Sequence, residues 1–245
     1  VIATGSNPKI WKLLESLGHT VAQPVPSLFT FNIKDDRIID IPGVVALNVE
    51  VTVVDTNLWS EGPLLITHWG MSAPAILKLS AFGAIELAKR DYKFAIEVNF
   101  IRQDFDTCMD ALKTLKLDLA KKTVFKSTQF DLPKRLWHKL VLASQMAEDT
   151  RWADLNKVQL EALAGQLTAA TFHVDGKSTF KEEFVTAGGV NLKEVNFKTF
   201  ESKKHENLYF AGGEVLNIDA VTGGFNFQNA WTSGFIVSKA ITGLG

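Results

Sequence analysis

The residues with the most chemical potential lie between positions 207 and 241. Glu214 follows the run Leu208-Tyr209-Phe210-Ala211-Gly212-Gly213, and Asp219 and Thr222-Gly223-Gly224 come shortly after it. Leu208, Tyr209 and Phe210 predict a short buried strand closed by the two glycines. Beyond them, apolar or small residues at Phe227, Ala230, Trp231, Gly234, Phe235, Ser238 and Ile241 recur near the 3.6-residue period, which predicts a helix. The order is strand, carboxylate, glycines, helix. The first N–H groups of a helix lack intrahelical partners and carry the positive end of its dipole, so glycines there admit an electron-rich ligand to bare backbone. Glu214 or Asp219 can accept hydrogen bonds from the hydroxyls of such a ligand. The plainer alternative is that the glycines make a tight turn, while Ala230, Gly234 and Ser238 let the helix approach a neighbour closely.

A second candidate is His68, in Thr67-His68-Trp69-Gly70-Met71-Ser72-Ala73-Pro74-Ala75. Ser72 is a candidate N-cap and Pro74 suits a first helical turn, so a helix is predicted to run to about Arg90. On the loop before that helix, His68 is either an acid or hydrogen-bond donor near neutral pH or a structural histidine. The single cysteine, Cys108, excludes an intrachain disulfide and falls in a predicted helix as a core residue. The five histidines never stand four apart on a helix or beside the cysteine, so no metal site is expected. A Gly-x-Ser-x-Gly elbow and a phosphate loop ending in Gly-Lys-Ser or Gly-Lys-Thr are both absent, which removes the usual support for hydrolase and nucleotidase chemistry.

These groups sit in a chain of globular composition. Lys and Arg total 26 against 27 Asp and Glu, and the pairs Lys121-Lys122 and Lys203-Lys204 are isolated, so no nucleic-acid partner is expected. No apolar run approaches the roughly 20 residues that span a bilayer, and no charged segment precedes an apolar one, so neither membrane insertion nor export is expected. A cytoplasmic location follows as the expectation.

The elements that must position the candidates fall into three stretches. The chain opens directly in Val1-Ile2-Ala3-Thr4-Gly5, the pattern of a buried strand's end. Together with the absence of any Gly-x-Gly-x-x-Gly, this predicts that an N-terminal segment precedes Val1 in the full protein. Pro8 opens a helix with Ile10, Trp11, Leu13, Leu14 and Leu17 on its apolar face, and Gly18 closes it. Pro24 and Pro26 then punctuate the chain, and strands are predicted at 28–33, at 44–54 with Leu47, Val49, Val51 and Val53 alternating, at 64–67, and at 94–100. Asp104 or Asp106 caps a following helix. Amphipathic helices are predicted around Leu136, Trp137, Leu140 and Val141 and around Val158, Leu160, Leu163 and Leu167, both as core stripes. Strands return at 167–174 and 180–186, and Ala187-Gly188-Gly189-Val190 is read as a turn. Residues 25–186 are thus expected to form a module of strands and helices inserted between two pieces of another domain, 1–24 and 187–245.

Several separated motifs, in order, resemble one family: the bacterial NAD(P)/FAD-dependent oxidoreductases of the BaiN type, which also include enzymes described as aminoacetone oxidases. They are Ala3-Thr4-Gly5, the stretch 65–75, Leu132-Pro133-Lys134-Arg135-Leu136-Trp137, the stretch 185–190, Thr199-Phe200-Glu201-Ser202-Lys203 and, above all, 208–234. The resemblance implies an α/β fold in which a partial glutathione-reductase-like FAD-binding domain is interrupted by an insertion domain of β-barrel plus helices. It places the dinucleotide-binding βαβ unit upstream of Val1. It further implies that Ala3, Thr4 and Gly5 line the FAD, that Glu214 lies near its ribityl or pyrophosphate portion, and that Gly223, Gly224, Phe225 and Asn226 start a helix facing the flavin's pyrimidine edge, with Asp219 and Thr222 in the same loop. A positive helix end there stabilises the negative charge that reduction places on the ring. Gly212 and Gly213 stand where the family has one glycine, which would shift Glu214 relative to the ligand. Ser6 replaces a second glycine after Ala3-Thr4-Gly5. The implied function is electron transfer between a small organic substrate and NAD(P)H or oxygen, with His68 and residues 187–190 lining the substrate side. The alternative is a catalytically incomplete binding or structural module, because the other half of the FAD site lies in the missing N-terminal segment.

Overall fold

The computed structural model describes residues 1–178, 185–218, 220–221 and 223–243. The chain runs through α1 (Pro8–Ser16), β1 (Val21–Ser27), β2 (Thr30–Ile33), β3 (Val45–Val53), β4 (Trp59–Ile66) and β5 (Gly70–Ser72). Next come α2 (Pro74–Phe82), α3 (Ala84–Lys89), β6 (Lys93–Asn99), α4 (Phe105–Asp118), α5 (Lys134–Ala143), α6 (Lys157–Thr168) and β7 (Ala170–Ser178). The described chain resumes with β8 (Val185–Val190) and ends in α7 (Gly223–Thr242). Two compact units result. One comprises Phe29–Ser80 and Lys89–Ser178; the other comprises Val1–Leu28, Ala81–Ala88 and Thr179–Gly245.

In the first of these, six antiparallel strands close into a barrel in the order β2-β5-β4-β3-β6-β7, with β7 returning to β2. The fold is therefore mixed α/β, with the barrel expected in the middle of the chain. Alternation drives closure: Val49, Val51 and Val53 on β3, Phe94, Ile96 and Val98 on β6, and Phe172 and Val174 on β7 are buried, while the residues between them are not. Leu47 breaks the predicted alternation. The register of β3 against β4 shifts between Ala46 and Val49, and this irregularity leaves Leu47 exposed. Leu167 belongs to the end of α6 rather than to a strand, and of the strand predicted at 180–186 only Val185 and Thr186 are described.

The helices beside the barrel are capped as their sequences suggest. Asp104 accepts a hydrogen bond from the Thr107 N–H, and Asn156 and Gln159 form a reciprocal capping box on α6. Trp137 and Trp152 are fully buried and stacked, and their indole N–H groups donate to the Val124 carbonyl and the Ser127 hydroxyl. Cys108 is buried on α4, where burial pushes its thiol up to about 12, so it is packing and not a nucleophile. Val158, predicted to face the core, is exposed at the start of α6. The helix predicted from 74 to 90 is instead two, α2 and α3, interrupted at Gly83. Ser72 lies in β5, where its hydroxyl accepts from Thr30, and Ala73 at φ +76° takes the place before Pro74.

The other unit holds α1, β1, β8 and α7. Asn7 caps α1 by accepting from the Lys9 N–H, with Pro8 at the first helical position and Gly18 beyond the end, as predicted. Pro24 and Pro26, read as punctuation ahead of the strands, both lie inside a strand, β1, whose register against antiparallel β8 slips between Ala22 and Val25. Pro24 falls inside that slip, where no ladder N–H is needed, while Pro26 pairs with Thr186 beyond it, on a strand whose one ladder partner among the described residues is β8. The stretch Ala187-Gly188-Gly189-Val190, predicted as a turn, is the buried end of β8. Its glycines serve close approach. A Cβ at Gly188 would lie 2.7 Å from the Gln23 carbonyl oxygen, and one at Gly189 would lie 2.7 Å from the Val215 carbonyl oxygen. Leu14, Val190, Phe200, Phe210, Val215, Leu216 and Val237 share one core around these contacts.

Helix α7 turns a different face inward from the stripe that marks it in the sequence. Ser233 and Val237 are buried, whereas Phe227, Trp231 and Phe235 are 65%, 68% and 63% exposed. Phe227 and Trp231 stack on each other along this outer face, and Ile241 extends it. Among the described residues no helix is long and apolar enough to cross a membrane.

Candidate functional site

The site forms where two chain segments run side by side. The Ile2 N–H donates to the Tyr209 carbonyl at 2.7 Å, and the Ala211 N–H donates to the Ile2 carbonyl at 2.8 Å, a parallel bridge between Ile2 and Phe210. Parallel direction brings the loops after both segments to the same edge: Ala3-Thr4-Gly5 and Ala211-Gly212-Gly213-Glu214. The crevice beyond the carboxyl ends of parallel strands is where α/β proteins place their ligands. Gly5 lies at φ +60°, and a Cβ built on it would be 3.4 Å from Glu214 Oε2.

Ser6 ties the two loops together. Its Oγ donates to Glu214 Oε2 at 3.3 Å and lies 2.7 Å from Thr186 Oγ1, whose own hydroxyl proton is free to be donated to Ser6. The Gly212 N–H donates to Ser233 Oγ on α7 at 2.8 Å, and Ser233 donates in turn to the Asn229 carbonyl. One turn earlier on α7, the Asn229 Nδ2 donor is buried with no hydrogen-bond partner among the described residues. A Cβ on Gly213 would lie 2.5 Å from that atom. An orphaned buried donor is costly, so its place beside a glycine loop is a mark of a ligand-binding edge.

Of the sequence-predicted residues, Gly5 and Glu214 are thus brought together, with Ala3 and Thr4 exposed on the same loop. Gly223, Gly224, Phe225 and Asn226 form the first turn of α7, which contains no acidic side chain to quench the positive helix end. Asp219 and Thr222 lie outside the described residues. His68 belongs to the barrel unit, at the tip of the turn between β4 and β5, and residues 187–190 are enclosed strand rather than pocket wall. Thr186, Asn229 and Ser233 were not legible as site residues. Their only sequence signal is that Asn229 and Ser233 stand four apart on the side of α7 opposite its aromatics. Among the described residues no group of three or more His, Cys, Asp or Glu side chains is placed to hold a metal ion.

A second polar cluster in the same unit looks catalytic and is not. Glu194 Oε2 lies 3.0 Å from His19 Nδ1, and His19 Nε2 lies 3.0 Å from Ser202 Oγ, the connectivity of a nucleophile–base–acid triad. Ser202 is buried, however, and its oxygen already accepts from the Lys204 and His205 N–H groups, both at 3.0 Å. No lone pair remains to attack a substrate. The cluster is a tether, closed by Lys204 Nζ at 2.8 Å from Glu194 Oε1. Desolvation would raise the Glu194 carboxyl, but the Lys204 ammonium, the Thr20 N–H and His19 together outweigh it and hold it at about 2. A folded-state value below the unfolded one gives stability that is fully present above about pH 4.5 and is lost as pH falls toward 2. The melting temperature is expected to fall across that window, and Glu194→Gln to melt lower at pH 7 with a shallower acid slope. Parallel acid slopes for the two proteins would remove Glu194 as the cause.

The fold and this site define a barrel-bearing α/β protein in which two glycine-bearing loops meet at the ends of parallel segments. Residues 25–185 match the family described as HI0933-like protein barrel and H2TH domain, and the chain belongs to that family. Among known relatives, it is 29% identical over 245 residues to a ribosomal RNA dihydrouridine synthase of Haemophilus influenzae, covering 97% of this chain and 57% of that protein. It is 28% identical to a protein of the same name from Escherichia coli, over 96% of this chain and 56% of the relative. A 3-dehydro-bile acid delta(4,6)-reductase of Clostridium scindens is 27% identical, over 96% of this chain and 58% of the relative. The chain thus spans somewhat more than half the length of these relatives.

Proposed function

We propose that the chain is the larger part of a flavin-dependent oxidoreductase of the BaiN type that reduces a carbon–carbon double bond in a ring substrate. The observation that carries the reading is the Ile2–Phe210 parallel bridge, which sets Gly5 and Glu214 at one edge, with a buried Asn229 donor beside Gly213 that has no partner among the described residues. These residues fit FAD: Gly5 lets a bulky anionic cofactor approach backbone, Glu214 accepts from its sugar or ribityl hydroxyls, and the acid-free first turn of α7 offers N–H groups to its electron-rich edge. Bound there, FAD supplies hydride transfer. Ser6 and Thr186 hold the Glu214 carboxylate in place, and Asn229 offers its amide to the ligand.

The relatives support the direction of the chemistry. A dihydrouridine synthase and a delta(4,6)-reductase, by their names, both add hydrogen across a ring double bond. NAD(P)H is accordingly the proposed electron donor in preference to oxygen as an acceptor, and the cytoplasm is the proposed setting. Residues 1–24 and 187–245 are proposed as parts of a glutathione-reductase-like FAD domain, with 25–186 as its insertion. The remainder of that domain is proposed to be a segment preceding Val1, which packs on the exposed aromatic face of α7; the relatives' additional length provides for it.

The test is FAD binding by the full-length protein, followed by absorbance near the flavin bands. Wild type is expected to bind stoichiometrically and to consume NADH or NADPH with a conjugated cyclic enone. Glu214→Gln is expected to weaken FAD about tenfold or more through loss of a charged hydrogen-bond acceptor. A full-length protein that stays colourless with added FAD would sink the flavin reading. Peroxide formation independent of nicotinamide would sink the reductase direction alone.

A further inference from the structure

The outer face of the barrel carries an exposed tryptophan that FAD binding does not use. Alternation on β3 buries Val49, Val51 and Val53, so Glu50 and Thr52 point away from the core. Thr52 stands directly opposite Trp59 on β4, and Glu50 directly opposite Glu61. Trp59 therefore shares their outer face, and it is 56% exposed there. The outward positions around it are polar: Glu61 on its own strand, and Glu97 and Asn99 on β6, which pair with Thr52 and Glu50. Among the described residues the Trp59 indole makes no ring contact and no hydrogen bond. Trp137 and Trp152, in contrast, each donate the indole N–H to a protein acceptor. Carboxylates directly opposite each other on neighbouring strands are destabilising. Arg102 neutralises Glu61 alone, at 2.5 Å, and Glu50 has no ion pair among the described residues.

The backbone beside the ring is fixed. The Val53 N–H donates to the Leu58 carbonyl at 2.9 Å, and the Val54 N–H donates to the Ala95 carbonyl at 3.0 Å. Thr56 Oγ1 donates to the Val53 carbonyl at 2.8 Å and accepts from the Leu58 N–H at 3.0 Å. The tip between β3 and β4 is thus held to itself and to β6, so the groups near Trp59 are set before a ligand arrives. A trough of about 490 Å³ opens there, lined by Glu50, Thr52, Thr56, Asn57 and Trp59. That volume is in the range of small-molecule sites.

The lining selects the ligand. It holds no cation, so a phosphate or carboxylate would meet the Glu50 charge with nothing to pair it. A wholly apolar ligand would strip water from Glu50, Asn57 and the threonine hydroxyls without replacing it. A small organic cation would use Trp59 and Glu50 but leave the amide and hydroxyls unmatched. A neutral sugar ring uses all of them. The C–H groups of one ring face lie on the indole, while its hydroxyls donate to the carboxylate and exchange hydrogen bonds with Asn57 and Thr52.

We propose that this trough binds a neutral pyranose sugar, stacked on Trp59 and oriented by Glu50 and Asn57. A free sugar and the terminal residue of a glycoside present the same ring face and hydroxyls. The site lies within the barrel unit and stands or falls separately from FAD binding.

The experiment is calorimetric titration of the full-length protein, FAD present throughout, with glucose, galactose, N-acetylglucosamine and the methyl glycosides of the first two. Saturable binding of at least one sugar is expected. A methyl glycoside that binds at least as tightly as its parent assigns the trough to a sugar carried on a larger molecule; loss of binding on methylation assigns it to a free sugar. Sorbitol, an open chain with no ring face to stack, should not compete. Trp59→Ala should weaken binding about fivefold or more, the worth of the apolar area that a stacked ring hides, and Trp59→Phe should restore part of it. Glu50→Gln should weaken it about threefold or more through loss of the charged acceptor. Leu117→Ala, removing an exposed apolar side chain elsewhere in the same unit, should leave affinity unchanged. If Trp59→Ala does not fold, Glu50→Gln from the opposite strand carries the test. Absence of saturable binding by every sugar at tens of millimolar, competition by sorbitol equal to that of the sugars, or full affinity in the folded trough variants overturns the proposal.

Discussion

Replacing Gly189 with alanine is expected to destabilise the protein by about 3–5 kcal/mol, enough to empty the soluble fraction of a marginally stable domain. Two costs act together. The backbone sits at φ +119°, where a side chain is strained whatever room it has. The added methyl would also lie 2.7 Å from the Leu216 carbonyl carbon and the Val215 carbonyl oxygen, and 2.8 Å from the Leu216 oxygen. These atoms are backbone, held by hydrogen bonds from Val190 N–H to Val215 O at 3.0 Å and from Asn217 N–H to Val190 O at 2.8 Å, so they cannot swing aside. Two other glycines calibrate the effect. Gly212 has φ +90° but open space around a Cβ, so Gly212→Ala should cost only about 1 kcal/mol of backbone strain. Gly165 lies within α6 with neither a positive φ nor a neighbour, so Gly165→Ala should stabilise by about 0.5–1 kcal/mol. Denaturant midpoints of the three full-length variants give the ranking directly. A Gly189→Ala midpoint level with that of Gly212→Ala would mean that β8 does not pack on residues 215–216.

Gly189 also shows what a sequence hides. Two adjacent glycines punctuate turns far more often than they line a strand, and nothing local distinguishes the cases, because the atoms that forbid a side chain at Gly189 come from positions 215 and 216. Pro24 of β1 misleads for the same reason: its tolerance depends on a register slip against β8, more than 150 positions away. Local signals fared better where the energetics are local. The cap at Asp104, Pro8 and Gly18 at the two ends of α1, and the alternation of Val49, Val51 and Val53 follow from neighbours within a turn or a strand. Leu47 marks the limit, because a register irregularity reverses facing without altering composition. At the candidate site, Glu214 was legible as the carboxylate after a glycine-closed apolar run. Its neighbours Ser6 and Thr186 were not, since a hydroxyl acquires a role only when the fold brings another segment against it.

In the full-length protein, Trp231→Ala is expected to cost about 3–5 kcal/mol, the loss for truncating a buried tryptophan, although in the described chain the same side chain is 68% exposed. The expectation follows from the proposal that a segment preceding Val1 covers the outer face of α7. The inner face has modest material for holding a 20-residue helix: Ser233 and Val237 are buried, Ile236 is partly so, and Asn229 carries a donor with no partner among the described residues. The outer face carries Phe227, Trp231, Phe235 and Ile241, an apolar stripe of the sort soluble proteins seldom leave to water. A helix whose stronger apolar stripe points outward is built to be sandwiched between two layers. Leu117, 79% exposed on α4, supplies the comparison, and Leu117→Ala should change stability by less than about 0.5 kcal/mol. Measured by denaturant unfolding on the full-length protein, a small Trp231→Ala effect equal to that of Leu117→Ala would leave the α7 face uncovered. A large effect for Trp231, repeated at Phe227 and Phe235 but absent at Leu117, would place the covering segment along the stripe and complete the domain that holds Gly5 and Glu214 together.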